Sequence, residues 1–201
     1  MPILEYLVLG VIQGVAEWLP VSSSAMVALV AGFFGIKAGD IWTLSLWLHL
    51  GTFLAAVIYF RRDLKNLPKN KNLLQFLFFS TAVTLVVAGL LFLFLDSLTF
   101  SLSFLVIIIG VLLVVTGVLQ LLRKKVLEPK SLDVKDFWFL GFLQGLTILP
   151  GLSRSGVTTY GLILKKYSPK DALRLSFLMS IPVVFVGDII LFFFKFFTEE
   201  G

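Results

Sequence analysis

The chain has 201 residues, of which 58% are hydrophobic, and a mean hydropathy of +1.00. A soluble domain of this size cannot bury so much apolar surface in one core, so the composition predicts an integral membrane protein. The absence of cysteine excludes disulfides, thiolate metal sites and a cysteine nucleophile. The net charge of +5 does not indicate nucleic-acid binding, because the basic residues occupy short loops between apolar segments.

The apolar segments predict an all-α integral membrane fold in a single domain over residues 1–201. About 20 helical residues cross the hydrocarbon core of a bilayer, and four continuous spans approach or exceed that length. In chain order the segments are an interrupted one at 3–35, spans near 41–60, 73–95 and 101–123, a second interrupted one at 137–164, and a span near 174–197.

Basic residues predict the orientation of these segments. The loops at 61–71 and 123–135 are rich in lysine and arginine, which places them in the cytoplasm by the positive-inside rule. Basic residues flank segment 137–164 at both ends, so we expect it to enter the membrane from the cytoplasm and return at Pro150 as a re-entrant hairpin. Counting the crossings from these cytoplasmic loops makes 3–35 a re-entrant hairpin from the outer face. The same count puts residues 1 and 201 outside.

The two interrupted segments also share residues at a constant separation of 131 positions. Three predicted crossings lie between them, so the second copy runs inverted relative to the first, as in many transporters. Repeat one covers about 3–123 and an incomplete repeat two about 137–197, and such repeats place binding sites near the midplane. The matching residues are Gly10, Gln13, Gly14, Ser22 and Ser24 in the first copy and Gly141, Gln144, Gly145, Ser153 and Ser155 in the second.

Polar residues cluster at the first break. Gln13 and Glu17 are four residues apart and share one helix face, while Ser22, Ser23 and Ser24 precede the next helix as capping residues. The free N–H groups at a helix start form a site for anions. An ionisable group inside a membrane costs at least about 2.5–3.5 kcal/mol, which favours a functional role for Glu17.

The second break repeats the pattern and adds a cation. Ser153 and Ser155 flank Arg154, a permanent cation suited to two-point contact with phosphate, and Thr158 lies one turn later. The features therefore predict an anion site between the two hairpins. The structural alternatives are that the serines only cap helices, that the glycines only allow close packing, and that Glu17 and Arg154 form a structural ion pair.

The two breaks resemble the motifs of the undecaprenyl-pyrophosphate phosphatase family, the bacitracin-resistance type. The similarity lies in Gln13-x-x-x-Glu17 followed by Leu19-Pro20-Val21-Ser22-Ser23-Ser24, and in Pro150-Gly151-Leu152-Ser153-Arg154-Ser155 with Thr158. The resemblance implies hydrolysis of a polyprenyl pyrophosphate to its monophosphate at the outer face of the cell membrane, assisted by a divalent cation, Mg²⁺ or Ca²⁺.

The resemblance also implies roles for individual residues. Glu17 and Ser23 are implied to be catalytic, Arg154 to bind phosphate, and Glu17 with Gln13 to hold the metal. Further substrate contacts are expected from Gln13, Ser22, Ser24, Ser153, Ser155 and Thr158.

Two departures from the family pattern qualify this assignment. Met26 occupies the place where bacterial members usually carry a histidine, and bacterial members continue for about two more spans. The single histidine, His49, is predicted to replace the missing one as a catalytic base, with Glu17 as the competing candidate. Three alternatives stay open: a non-hydrolytic lipid transporter on the same scaffold, a remnant scaffold without activity, and a homodimer in which a second chain supplies the missing spans.

Overall fold

The computed structural model describes residues 3–36, 38–96, 102–122, 126 and 130–199, and the regular elements in these ranges are all helical. The prediction of an all-α fold is confirmed for this part of the chain. The predicted external ends at residues 1 and 201 and the basic residues 123–125 lie outside it. The helices are α1 (Ile3–Ala16), α2 (Ser23–Phe33), α3 (Ala38–Tyr59), α4 (Arg61–Asn66), α5 (Lys71–Asp96), α6 (Leu102–Leu121), α7 (Phe137–Leu146), α8 (Arg154–Leu164) and α9 (Pro169–Glu199).

Two of these helices contain stretches long and apolar enough to cross a membrane. They are Lys71–Leu95 in α5 and Pro169–Ile190 in α9, whereas the described apolar stretches of α3 and α6 are shorter. Large apolar side chains on α5 point away from the protein, as Phe78 does with 67% exposure. Such a surface suits contact with lipid rather than water.

Both interrupted segments consist of two short helices joined by a break. Helix α1 packs on α2, and α7 packs on α8. Each helix has only 10 to 14 residues, roughly 15–21 Å of length, which is short of the roughly 30 Å of hydrocarbon in a bilayer. The interruptions predicted at 3–35 and 137–164 are therefore present as helical hairpins.

The two hairpins share their secondary structure at the predicted separation of 131 positions. Helices α2 and α8 both have 11 residues, and their first residues are Ser23 and Arg154. Ser22 caps α2 by accepting a hydrogen bond from the N–H of Ala25, and Ser153 caps α8 in the same way through Gly156. The serine hydroxyl at the N-cap satisfies one of the free N–H groups at the start of each helix.

The C-terminal ends of α2 and α8 also correspond. Gly35 follows α2 with a φ of +72°, and Lys166 follows α8 with a φ of +66°. In both hairpins the N–H of the next residue bonds back to the helix, from Ile36 to the Ala31 carbonyl and from Tyr167 to the Leu162 carbonyl. This is the left-handed helix termination that glycine favours, and Lys166 adopts it despite its side chain.

Close packing of α7 against α5 fixes the position of the second hairpin. A Cβ atom on Gly141 would lie 2.6 Å from the Ser80 carbonyl oxygen, and one on Gly145 would lie 2.6 Å from Cβ of Val87. The spacing of these two glycines lets the helix backbones approach each other. The structural alternative is thus confirmed for Gly141 and Gly145, whereas Gly14 in the first hairpin has open space around it.

Candidate active site between the two hairpins

Glu17 lies directly after α1, and its carboxylate joins the two arms of the first hairpin. The Gln13 side-chain amide donates a hydrogen bond to Oε2 of Glu17 at 3.0 Å, because the two residues are one helical turn apart. The hydroxyl of Ser23, the first residue of α2, donates to the same oxygen at 2.7 Å. The break in the chain thus brings an acid and a serine hydroxyl into direct contact.

The second hairpin contacts the first through Arg154 and Ser155 at the start of α8. Nη2 of Arg154 donates to Oε1 of Glu17 in an ion pair whose side chains are 16% and 14% exposed. The Ser155 hydroxyl donates to the Leu19 carbonyl oxygen at 2.8 Å. The two hairpins predicted to converge on one site therefore do meet.

A cavity of about 280 Å³ opens beside this ion pair. Its wall combines the start of α2, the start of α8, part of α5 near Thr84 and the face of α9 from Ser180 to Asp188. Helix starts present N–H groups and a partial positive charge to a ligand. The predicted site residues on this wall are Glu17, Ser22, Ser23, Ser24, His49, Ser153, Arg154 and Ser155.

Gln13 and Thr158 lie one layer behind the cavity wall. Gln13 is 1% exposed and reaches the site through its hydrogen bond to Glu17. Thr158 is fully buried, donates to the Arg154 carbonyl oxygen at 2.7 Å, and lies 2.6 Å from Oγ of Ser176. These contacts suit residues that hold Glu17 and Arg154 in place.

His49 on α3 lines the same cavity, as does Ser180, the residue 131 positions later. Among the described residues the His49 side chain has no hydrogen-bond partner. Ser23, the hydroxyl that a base would deprotonate, instead donates to Glu17. Met26, which replaces the usual histidine on α2, is 43% exposed.

Among the polar residues of the wall that were not predicted as site residues from the sequence are Asp188 and Gln144. Asp188 is an ionisable residue within the apolar segment 174–197, so the rule that singled out Glu17 also identifies it. Gln144 is the counterpart of Gln13 in the repeat, but its partners differ. Its amide nitrogen donates to Thr84 Oγ1 at 3.3 Å and to the Met179 carbonyl at 3.4 Å, while its Oε1 is buried without a hydrogen-bond partner.

The oxygen atoms around the cavity that could act as metal ligands suit a hard divalent cation better than a soft one. Carboxylate, amide and hydroxyl oxygens are the ligands that Mg²⁺ and Ca²⁺ prefer. Within the described ranges no three side chains of the His, Cys, Asp and Glu types cluster as a ready metal cage. Mg²⁺ does not require one, since it is usually held by one or two carboxylates together with phosphate oxygens and water.

Known proteins with similar sequences belong to the family that the two hairpin motifs resemble. Residues 6–200 match the family described as "Bacitracin resistance protein BacA". An undecaprenyl-diphosphatase of Methanococcoides burtonii is 42% identical to the chain over 92% of its length and 76% of the relative's. Undecaprenyl-diphosphatases of Saccharolobus islandicus and Haloarcula marismortui are each 35% identical over 94% of the chain, covering 74% and 76% of those proteins.

Proposed function

Since the chain belongs to the family of the bacitracin resistance protein BacA, we propose that it is a polyprenyl-diphosphate phosphatase that acts on undecaprenyl pyrophosphate or a similar lipid. The reaction releases inorganic phosphate and leaves the lipid monophosphate. The observation that carries the proposal is the hydrogen bond from Ser23 to Glu17 beside Arg154 and two helix N-termini. The curated relatives carry the name of this activity.

Both hairpins contribute hydrogen-bond donors that can bind the pyrophosphate. The starts of α2 and α8 face one cavity, and each supplies N–H groups and hydroxyls from its serines. Arg154 adds a planar cation that can contact two phosphate oxygens. The valines at 183 and 184 on α9 add apolar surface to the wall of the cavity.

Ser23 is the proposed nucleophile and Glu17 the proposed base. The Ser23 oxygen attacks the terminal phosphorus while its proton moves to Oε2 of Glu17, 2.7 Å away. The bond between the terminal phosphorus and the bridging oxygen breaks, and the lipid monophosphate leaves with that oxygen. Glu17 passes the first proton to the departing monophosphate oxygen and is a base again. A water molecule then attacks the phosphoserine, its proton moves to Glu17, and Glu17 returns that proton to the Ser23 oxygen as inorganic phosphate leaves.

Arg154 links substrate binding to this proton transfer. Without substrate its guanidinium pairs with Glu17 and stabilises the carboxylate as an anion. A bound pyrophosphate competes for the same guanidinium, and when Arg154 turns to the phosphate, protonation of Glu17 becomes more favourable. The Ser23 hydroxyl is therefore activated only when a substrate occupies the cavity.

A divalent cation is part of the proposal and would contribute by neutralising phosphate charge in the transition state. Glu17 is the candidate ligand that the family motif implies. Gln13 holds Glu17 through its amide nitrogen, so its role is proposed to be positioning. His49 is proposed to line the cavity without contact to the Ser23 proton.

The orientation proposed for the chain is a multi-pass protein of the cell membrane with an inverted repeat. The cavity contacts α5 at Thr84 to Ala88 and α9 at Ser180 to Asp188, which lie roughly 15–30 Å along each helix from its basic end. With the basic ends in the cytoplasm, the cavity falls in the outer half of the membrane. Cysteine labelling tests this, since cysteines at positions 65 and 166 should both be accessible only from the cytoplasm. Labelling from opposite sides would contradict the re-entrant path of 137–164.

The experiment that tests the function is phosphate release from polyprenyl pyrophosphate by the purified protein in vesicles. We expect one phosphate and one lipid monophosphate per substrate, and no release from the monophosphate itself. Lipid that crosses the bilayer with its pyrophosphate intact would instead identify a non-hydrolytic transporter. Light scattering of the protein purified in detergent distinguishes a monomer from the homodimer that the sequence leaves open.

A further inference from the structure

We propose that Asp188, together with the side-chain oxygen of Gln144, binds the divalent cation that accompanies the pyrophosphate. The inference rests on the proposed function, because the cation is expected at the phosphate group of that substrate. It assigns the cation to the second repeat, on the wall formed by α9 and α7. The family motif alone points instead to Gln13 and Glu17 in the first repeat.

Glu17 by itself is a poor cation site in this geometry. Its Oε1 pairs with the Arg154 guanidinium, and its Oε2 accepts hydrogen bonds from Gln13 and Ser23. A metal ion at these oxygens would lie beside the positive charge of Arg154 and would displace the hydrogen bond of Ser23. The other carboxylate that lines the cavity within the described part of the chain is Asp188.

The carboxylate of Asp188 interacts electrostatically with His49 but is otherwise open to a cation. No hydrogen bond or ion pair with another described residue involves its side chain. It follows Ser180 and Val184 on α9 at spacings of four residues, which places all three on the face that lines the cavity. A carboxylate without a hydrogen bond inside an apolar helix is costly, and a bound cation offsets that cost.

The side-chain oxygen of Gln144 supports the same cation site independently of Asp188. The Gln144 side chain is 2% exposed and lines the same cavity, and its hydrogen bonds to Thr84 and Met179 both use its amide nitrogen. The remaining Oε1 is a buried acceptor without a partner. An orphaned acceptor attracts a cation or its water ligands and repels a phosphate oxygen, so this wall complements the donors around Arg154.

The cavity wall therefore carries two kinds of polar group. Donors lie at the starts of α2 and α8, and acceptors lie at Asp188 and Gln144. A metal-bound pyrophosphate presents the same two characters, with anionic oxygens at one end and a cation with its waters at the other. The geometry thus suits the metal complex of the substrate rather than the free anion.

The test is binding of Mn²⁺ to the purified protein in the presence of methylenediphosphonate, followed by electron paramagnetic resonance. Neither probe is turned over, so the readout does not require phosphatase activity. We expect Asp188→Asn to weaken Mn²⁺ binding at least about 10-fold, as loss of a metal contact does. Asp171→Asn, the same change near the start of the same helix, should bind Mn²⁺ like the wild type.

Thermal unfolding of Asp188→Asn identifies a loss of fold, and Asp188→Glu keeps the carboxylate as a second variant. Recovery of Mn²⁺ binding by the glutamate variant over the asparagine variant supports the inference. Wild-type Mn²⁺ affinity in Asp188→Asn, or absence of Mn²⁺ binding by the wild type, overturns it. A protein with Asp188-dependent Mn²⁺ binding but no phosphate release would refute only the hydrolytic function.

Discussion

Glu17 and Arg154 lie 137 positions apart in the sequence and form an ion pair between the two hairpins. Glu17 lies in the break of the first hairpin, and Arg154 is the first residue of α8, where the backbone N–H groups have no partner within the helix. The pair therefore joins the two halves of the molecule at the point where both can bind an anion. It also makes the carboxylate and the guanidinium alternative partners, since a phosphate competes with Glu17 for Arg154.

The first prediction concerns Glu17 as the base. Glu17→Gln keeps a hydrogen-bonding side chain but removes the proton acceptor, so turnover should fall by about 10²–10⁴-fold. Ser23→Ala should cause a similar or larger loss, and the double variant should be no slower than the slower single variant, because the two act as one unit. Steady-state phosphate release measures this, and activity within tenfold of wild type in Glu17→Gln would exclude its role as base.

The second prediction concerns His49, which the sequence suggested as a replacement for the missing histidine at Met26. Because Ser23 donates to Glu17 and not to a histidine, His49→Gln should lower turnover by less than about tenfold. The dependence of turnover on pH should keep its shape in this variant. A loss of about 10²-fold, with an altered pH profile, would restore His49 as the catalytic base.

Much of the site follows from the sequence because membrane burial makes polar residues conspicuous. Glu17 and Arg154 stand out in apolar segments, and the 131-residue repeat brings Ser22 and Ser153 to equivalent caps. Helix boundaries at the two breaks follow from the serines, since these are preferred capping residues. The repeat thus predicts local structure as well as the polar residues of the site.

Other features depend on packing that no local pattern encodes. The orphaned oxygen of Gln144 results from where Thr84 and Met179 lie, which only the assembled helices determine. Asp188 is conspicuous in the sequence because it is an ionisable residue in an apolar segment. That it faces the cavity follows only from the packing of α9 against the other helices. The two equivalent glycines also differ in their packing. Gly145 lies against α5 because α7 approaches that helix closely, whereas its counterpart Gly14 has open space around it.

The third prediction uses this contrast between the two glycines. Gly145→Ala places a Cβ 2.6 Å from that of Val87, so α7 must move away from α5 at a cost of about 1–3 kcal/mol. Gly14→Ala, at the equivalent position of the first hairpin, has open space and is the matched control. Thermal unfolding in detergent should show a lower midpoint only for Gly145→Ala, and equal midpoints would refute the packing argument.

The fourth prediction concerns an ionic cluster at the basic end of the molecule. Asp136 pairs with Lys130, lies 3.3 Å from Nζ of Lys165, and accepts a hydrogen bond from the Tyr167 hydroxyl at 2.9 Å. Burial of Asp136 raises its pKa, but the hydrogen bonds and charges of its partners outweigh burial and hold that pKa below the ordinary value of 3.8. Its contribution to stability is thus present above that ordinary value and is lost as the pH falls through the lower folded pKa.

Asp136→Asn should accordingly destabilise the fold at neutral pH by about 1–3 kcal/mol. The lower part of that range is expected because the side chains of Lys130 and Lys165 are 33% and 39% exposed and remain hydrated. Denaturation measured at several pH values should show the difference from wild type shrinking as the pH drops below about 3.8. A difference that does not change with pH would show that Asp136 acts through shape and not through charge.

Arg154→Lys tests whether Arg154 recognises the pyrophosphate at the junction of the two hairpins. A lysine keeps the positive charge but cannot make the planar two-donor contact, so kcat/KM for phosphate release should fall by at least about 10²-fold. The measurement is steady-state release from polyprenyl pyrophosphate by wild type and variant in the same vesicles. We expect one phosphate per lipid from the wild type and this large loss in the variant. Wild-type kcat/KM in Arg154→Lys, or a wild-type protein that binds the lipid without releasing phosphate, would contradict it.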